Sequence, residues 1–230
     1  MASTYSLPLA RRCVAAIVAM SALSGQGLAE DGDDATRRAV AAQEAGDWRS
    51  AVKQWAIAHE LIPASDRSST RTASISYEYG RALGVTCQFE RSSRLLQDAL
   101  AIDEKTGGPV AMTLVELARL HLDSGNPQHA IPYFNRALPV LDGEGAEHRD
   151  ADGFTHFLEE FATAAAATGD GTRAQLLHAR IETLRTRHVH AHGPSTRTPY
   201  GTQCEGPNDQ APALNNPPTG HRAHSPHHND

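Results

Sequence analysis

The chain has 230 residues, of which 40% are hydrophobic and only 5% aromatic, and its formal net charge is −6. An acidic chain with no basic amphipathic stretch is a poor ligand for nucleic acid or for an anionic membrane surface. Proteins or peptides are therefore the expected partners.

At the N-terminus, Arg11 and Arg12 precede the apolar run from Val14 to Leu23, and the small residues Gly25, Gly27 and Ala29 follow it. Charged region, apolar region and small-residue cleavage site are the order of a secretory leader, so residues 1–29 are expected to be a signal peptide cut before Glu30. The apolar run is about half of the roughly 20 residues that would cross a bilayer, so no stable membrane anchor is expected. Cys13 stands before the apolar run, where a lipoprotein acceptor would have to follow it, and the residues after the paired arginines fit a twin-arginine signal poorly. General secretion to the periplasm or the cell exterior is the expectation. Loss of Arg11 and Arg12 from the 21 basic residues leaves 19 against 27 acidic, a mature balance of −8.

From residue 30 to residue 186 the chain is rich in Ala, Leu and Arg, almost free of strand signals, and repetitive. Ala51, Trp55 and Ala58 share the spacing four-then-three with Ser92, Leu96 and Ala99, with Ala130, Phe134 and Ala137, and with Ala174, His178 and Ile181. That spacing is one face of a helix, with small residues that admit a close neighbour beside a large one that fills the gap. Each triplet follows a turn signal: Gly46-Asp47-Trp48, Cys87-Gln88-Phe89, Gly125-Asn126-Pro127 and Gly169-Asp170-Gly171. Before each turn lies another apolar helical face: Ala39 and Ala42; Tyr79, Gly80 and Leu83; Leu114, Leu117 and Ala118; Leu158, Phe161, Ala162 and Ala165. The predicted unit is a helix-turn-helix hairpin present four times. Extra residues fall between hairpins at Ala64 to Thr72, Lys105 to Pro109 and Asp142 to Gly153. Pro132 falls within a predicted helix, which must start late or kink there, and Pro139 is expected to end it.

Residues 187–230 hold seven of the thirteen histidines, many prolines and hardly any large apolar side chain. Such a composition cannot offset the entropy of ordering, so a disordered His/Pro-rich tail is expected. His188, His190, His192, His221, His224, His227 and His228 are candidate metal ligands, because several imidazoles on a flexible segment can capture copper, nickel or zinc. The plainer alternative is a compositionally biased tail. Cys87 and Cys204 would reach an oxidising compartment, which permits a disulfide from the tail to the second hairpin; Cys87 packed as a small apolar residue is the alternative.

Here the chain resembles the tetratricopeptide repeat family, through Gly46, Trp48, Ala51, Trp55, Ala58 and Pro63 in the first hairpin and Leu114, Leu117, Ala118, Gly125, Ala130, Phe134 and Ala137 in the third. Intervals of 41, 38 and 44 residues between corresponding positions are similar to the longer, kinesin-light-chain-like form of the repeat. Cys87, Ser92 and His178 depart from the family pattern. The resemblance implies an all-α right-handed superhelix whose first helices line a groove for protein or peptide partners, as in a scaffold or assembly factor. On this analogy the groove is lined by Tyr77 and Arg81, by Val115 and Arg119, and by His156, Glu159 and Thr163, with Thr36, Val40 and Gln43 on the matching face of the first hairpin. Arg81 and Arg119 would point into one groove, where they either receive carboxylates of a partner or pair with acids of the array such as Glu78 and Glu116. No nucleotide-binding glycine loop, nucleophile elbow or zinc-protease motif is present, so neither a catalytic residue nor a cofactor is expected. The rival reading is a metal-handling protein acting through the histidine tail.

Overall fold

The computed structural model describes residues 31–187 and 195–204. The expected signal peptide and all seven candidate metal-ligating histidines lie outside the described residues. Within them the chain is helical, with no strand. In order it forms α1 (31–44), α2 (Trp48–Glu60), a 3-10 turn (Ala64–Asp66), α3 (Thr70–Val85), α4 (Phe89–Thr106), α5 (Val110–Asp123), α6 (Pro127–Gly143), the short α7 (Ala146–Arg149), α8 (Ala151–Ala167) and α9 (Gly171–Arg187). The hairpins α3–α4, α5–α6 and α8–α9 pack within themselves, while α2 on α3, α4 on α5 and α6 on α8 join successive hairpins into a stack. The 3-10 turn and α7 occupy two of the inter-hairpin insertions.

Four equivalent turns set the hairpin geometry. In the first, Gly46 N–H donates to the Gln43 carbonyl and Asp47 N–H to that of Ala42, and the same pair of bonds recurs at Cys87-Gln88, Gly125-Asn126 and Gly169-Asp170. This is the Schellman closure, which needs a left-handed residue just past the helix and occupies two otherwise orphaned carbonyls. Gly46, Gly125 and Gly169 supply it with φ of 74°, 79° and 84°, and Cys87 supplies it with φ of 69°. Asp47 and Asp170 then cap the next helices by accepting from Ser50 N–H and Arg173 N–H.

Small residues let the paired helices close. Ala51, Ala58, Ser92, Ala99, Ala130 and Ala137 are all buried, as are Trp55, Leu96 and Phe134 between them. Ser92 replaces the alanine of its sister triplets without leaving an orphaned hydroxyl, because its Oγ donates to the Gly80 carbonyl at 2.7 Å. The fourth triplet differs from the sequence expectation. His178 is exposed and Leu177 is buried in its place, with Ile181 and Leu184 completing the face. Among the described residues α9, the second helix of the last hairpin, packs on α8 and meets no following hairpin, and His178 lies on its exposed side.

The proline expectation is also corrected. α6 starts at Pro127 and runs through Pro132 and past Pro139 to Gly143. Proline removes the bond to the carbonyl four residues earlier, here Gln128 and Asn135. Both prolines and both of those residues are exposed, so the freed carbonyls face water and the helix survives.

Phe134 is fully buried, stacked on Phe161 at 5.0 Å between ring centroids and tilted against Phe157 at 5.6 Å, so it joins the third hairpin to the fourth. Phe134→Ala is expected to cost about 3–5 kcal/mol, which for a domain of this size lowers the melting temperature by about 2–4 °C per kcal/mol. Thermal unfolding followed by circular dichroism measures it; an unchanged midpoint would mean that these two hairpins do not share a core.

Candidate functional site, the inner face of the helix stack

Glu78, Glu116 and Glu160 stand at corresponding positions on the first helices α3, α5 and α8, and Arg81 and Arg119 follow the first two of them by three residues. That register produces a line of alternating charge. Arg81 donates to Glu78 at 3.2 Å and its Nε lies 3.6 Å from Glu116; Arg119 donates to Glu116 at 3.0 Å and to Glu160 at 2.7 Å. Gln43 of α1 extends the line by donating to Glu78 at 3.0 Å and accepting from the Trp55 indole. Burial works against each guanidinium, yet Glu116 and Glu78 outweigh it at Arg81, and Glu160 and Glu116 outweigh it at Arg119, so both stay protonated above their ordinary range. The two arginines do face the same groove. Both are engaged by acids of their own array.

The line continues into residues that composition had assigned to a disordered tail. Arg197 makes a bidentate bond to Asp123 at 2.7 and 3.0 Å and a third bond to Glu160 at 2.9 Å. Tyr200 is 5% exposed; its N–H donates to Asp123 at 2.9 Å and its hydroxyl to Glu116 at 2.5 Å. Burial first, then the negative charge of Glu116, pushes the Tyr200 hydroxyl well above its ordinary pKa, so it remains a donor. Further on, Gly201 and Gln203 donate their amides to the carbonyls of Gly84 and Val85, both at 3.0 Å, at the end of α3. Gln203 Nε2 reaches the Gly46 carbonyl at 3.1 Å, and Cys204 is joined to Cys87 by a disulfide with Cα atoms 5.1 Å apart. Residues 195–204 thus form a strap across the C-terminal halves of the first helices, running from the fourth hairpin back to the first. For these residues the disorder expectation is replaced by docking, because one aromatic, one guanidinium and one thiol find prepared partners.

The N-terminal halves of the same helices stay open. A cavity of about 510 Å³ lies between α3, α5, α7 and α8, lined by Tyr77, Met112, Val115, Phe154 and Phe157, with Arg119 and Glu116 at the border with the strap. Burial, then the charge of Glu116, raises the Tyr77 hydroxyl, so this ring too stays neutral. His156 Nδ1 contacts Glu159 at 3.1 Å, and Glu159 also accepts from Arg185 at 2.6 Å. Smaller space beside His156 is shared with Arg119, Asp150 and Arg197 of the strap. Thr163 is exposed, and its hydroxyl is used on the Glu159 carbonyl. In the first hairpin, Thr36 bonds back to Gly32, Val40 is exposed, and Gln43 belongs to the charge line. The face thus brings Tyr77, Arg81, Val115 and Arg119 together, leaves Thr163 aside, and adds Met112, Asp123, Glu160, Arg197 and Tyr200. Two cues were present for the strap: a lone tyrosine in a proline-rich stretch, and Gly84, a second glycine one turn after Gly80. A larger cleft of about 860 Å³ opens on the other side of the stack between α2 and α4, bordered by His59, Arg67, Arg91 and Asp98. Among the described residues, no three His, Cys, Asp or Glu side chains come together as a metal site. No helix among them is long and apolar enough to cross a membrane.

Comparison with known proteins places this architecture. The tetratricopeptide repeat profile matches residues 71–142, the stretch of α3 to α6. Among solved structures, the chain is similar to BtubC (BKLC) from P. vanneervenii, with a TM-score of 0.61 and 19% identity over 69% of this chain and 65% of that one. It is similar also to a Podosopora anserina chain described as a kinesin light chain with nearly identical TPR-like repeats, at a TM-score of 0.57 and 22% identity over 70% and 76% of the two chains. MamA has a TM-score of 0.55 and 14% identity over 69% and 80%. These identities speak for the fold alone, and this chain spans just under two thirds of the BtubC chain. No curated protein matches the sequence. The family profile lies on the two central hairpins, so residues 71–142 carry tetratricopeptide repeats, and the same turn closure is repeated on either side of them.

Proposed function

We propose that the chain is an exported interaction protein, a scaffold or assembly factor of the periplasm or cell exterior, which holds a protein or peptide partner against the open half of its inner face. The observation that carries this reading is Met112, a large apolar side chain left 54% exposed on the wall of a cavity of about 510 Å³ whose other sides are Tyr77, Val115, Phe154 and Phe157. Contiguous apolar surface in a concavity, rimmed by charge, is the usual form of a recognition site. A bulky apolar side chain of the partner fits it better than a carboxylate does, because the two arginines beside it already share Glu78, Glu116 and Glu160. Export is supported by the leader-like N-terminus and by the Cys87–Cys204 disulfide, since such bonds persist in oxidising compartments. The metal-handling alternative depends on histidines outside the described residues.

Two measurements test this reading. Mature chain immobilised on beads should retain a defined partner from the extracytoplasmic fraction, and Met112→Glu, an exposed change, should reduce that retention at least tenfold with helix content unchanged. Deletion of residues 205–230 should leave retention intact. Undiminished capture by Met112→Glu would remove the open half as the site, and loss on the tail deletion would favour metal handling. Secondly, intact mass and non-reducing peptide mapping of the exported protein should find Glu30 as its first residue and Cys87 linked to Cys204. A chain retaining its first 29 residues, with Cys87 and Cys204 both as free thiols, would contradict export.

A further inference from the structure

The strap fills a bed that is shaped for it. On α3, a Cβ at Gly84 would overlap the Tyr200 ring and crowd Leu120, so the helix is kept bare where the phenol crosses it. Beneath the strap, Asp123 and Glu160 receive one guanidinium while Glu116 receives one phenolic hydroxyl, each within hydrogen-bond distance. Two strap amides take carbonyls at the end of α3, that of Val85 and that of Gly84, which also accepts from the Cys87 amide of the turn, as a bound peptide would take them. A side chain at left-handed φ is strained relative to glycine, which has no Cβ to clash. Cys87 bears that strain at the one turn of four that lacks glycine, and there its sulfur holds Cys204. Strain kept at one of several equivalent positions points to a use for the side chain that brings it.

We propose that this bed is a peptide-binding site for segments of the form Arg-Xaa-Xaa-Tyr-Gly, occupied in the oxidised chain by its own Arg197–Gly201, and that reduction of the Cys87–Cys204 disulfide opens it to such a segment on a partner protein. The site is separate from the open cavity around Met112 and does not depend on that cavity having a partner. The reductant is a dithiol. One of its thiolates attacks the Cys204 sulfur, which is exposed where Cys87 is half-buried, and Cys87 leaves as a thiolate and takes up a proton. The second thiol of the reductant then displaces Cys204 from the mixed disulfide. Two electrons pass to the protein, which is left with two thiols, and the reductant departs as a disulfide. While the bond is closed, the strap is covalently fixed on its bed and an outside segment cannot compete. Once the bond opens, the strap is an ordinary tethered ligand whose effective concentration, of millimolar order for short flexible links, a partner segment can contest.

The charge on the bed defines the specificity. Three carboxylates, Glu116, Asp123 and Glu160, face the strap and are balanced in part by Arg81 and Arg119, so a ligand must bring one cation and one hydroxyl donor. Burial opposes charge on Arg197, but its bonds to Asp123 and the charge of Glu160 hold it protonated. A lysine in its place would forgo the bidentate fork.

The test uses the full mature chain and a fluorescein-labelled synthetic peptide with the sequence of Ser195 to Gln203. Cys87→Gly removes the disulfide while giving the turn the residue that its three sister turns use, so the fold is spared. The Cys87→Gly chain and the dithiol-reduced wild type should both bind the probe at least tenfold more tightly than the oxidised wild type, by fluorescence anisotropy. A probe carrying alanine in place of the tyrosine or of the arginine should lose that gain. Gly84→Ala, whose methyl suits a helix but displaces the tyrosine ring, should abolish binding in the reduced state. Hydrogen exchange supplies the second reading: the amides of Gly201 and Gln203 should exchange at least tenfold faster after reduction, while those of α5 do not change. Equal probe binding in both redox states, no binding to the Cys87→Gly chain, or strap amides that stay protected after reduction would each overturn the proposal. Cooperative loss of helix on reduction would do so too, by making the disulfide a structural staple and not a gate.

Discussion

Close approach of neighbouring helices through small side chains is the constraint on which the rest of the molecule depends. Alanine, serine or glycine at the contact brings helix axes to about 8–10 Å, and at that separation a guanidinium on one first helix can reach carboxylates on its own helix and the next. The line through Glu78, Arg81, Glu116, Arg119 and Glu160 exists because the hairpins repeat at that spacing. Such charges are half-buried, where breaking one partner of a pair costs far more than an exposed ion pair is worth. The inner face is consequently a rigid surface with its charges already assigned, and this decides what can bind there. An added carboxylate would have to displace an existing one, whereas an apolar side chain beside Met112, or a cation beside Asp123, would not.

The repeat architecture was legible in the sequence because it depends on residue size at helical spacing, a property that the chain carries locally. Ala51, Ala58, Ala130 and Ala137 could be placed on buried faces before any contact was known, and so could the four turns, whose left-handed residue is glycine three times. Where that reading failed, a surrounding feature outweighed the local rule. His178 sat at the expected phase, but no following hairpin among the described residues covers it. Pro139 has the chemistry of a helix breaker, yet the carbonyl it frees faces water and α6 continues.

The site was less legible because half of it comes from outside the repeats. Averaged over forty-odd residues, a segment rich in proline and histidine has too little apolar content to order itself, and that average hides the three side chains that matter. Arg197, Tyr200 and Cys204 do not need a core of their own, since each meets a partner already fixed by the stack: Asp123 and Glu160, Glu116 and the bare backbone at Gly84, and the sulfur of Cys87. Composition measures what a segment can bury against itself. It is blind to what a neighbouring scaffold offers.

The same comparison explains how the two halves of the inner face differ. Both are built from α3, α5 and α8, and they diverge through single residues on each helix. Toward the C-terminal ends, Gly84, Leu120 and Asp123 leave room and charge for an extended segment to lie across the helices; toward the N-terminal ends, Tyr77, Met112 and Phe154 fill that level with apolar bulk and leave a pocket instead of a track. Glu116 and Arg119 form the border, touching the cavity on one side and the strap or its guanidinium partner on the other. The Tyr200 hydroxyl takes one oxygen of Glu116 and Arg197 takes one oxygen of Glu160, while Arg119 takes the other oxygen of each and Arg81 pairs with Glu116, so the same carboxylates serve both the strap and the charge line beside the cavity.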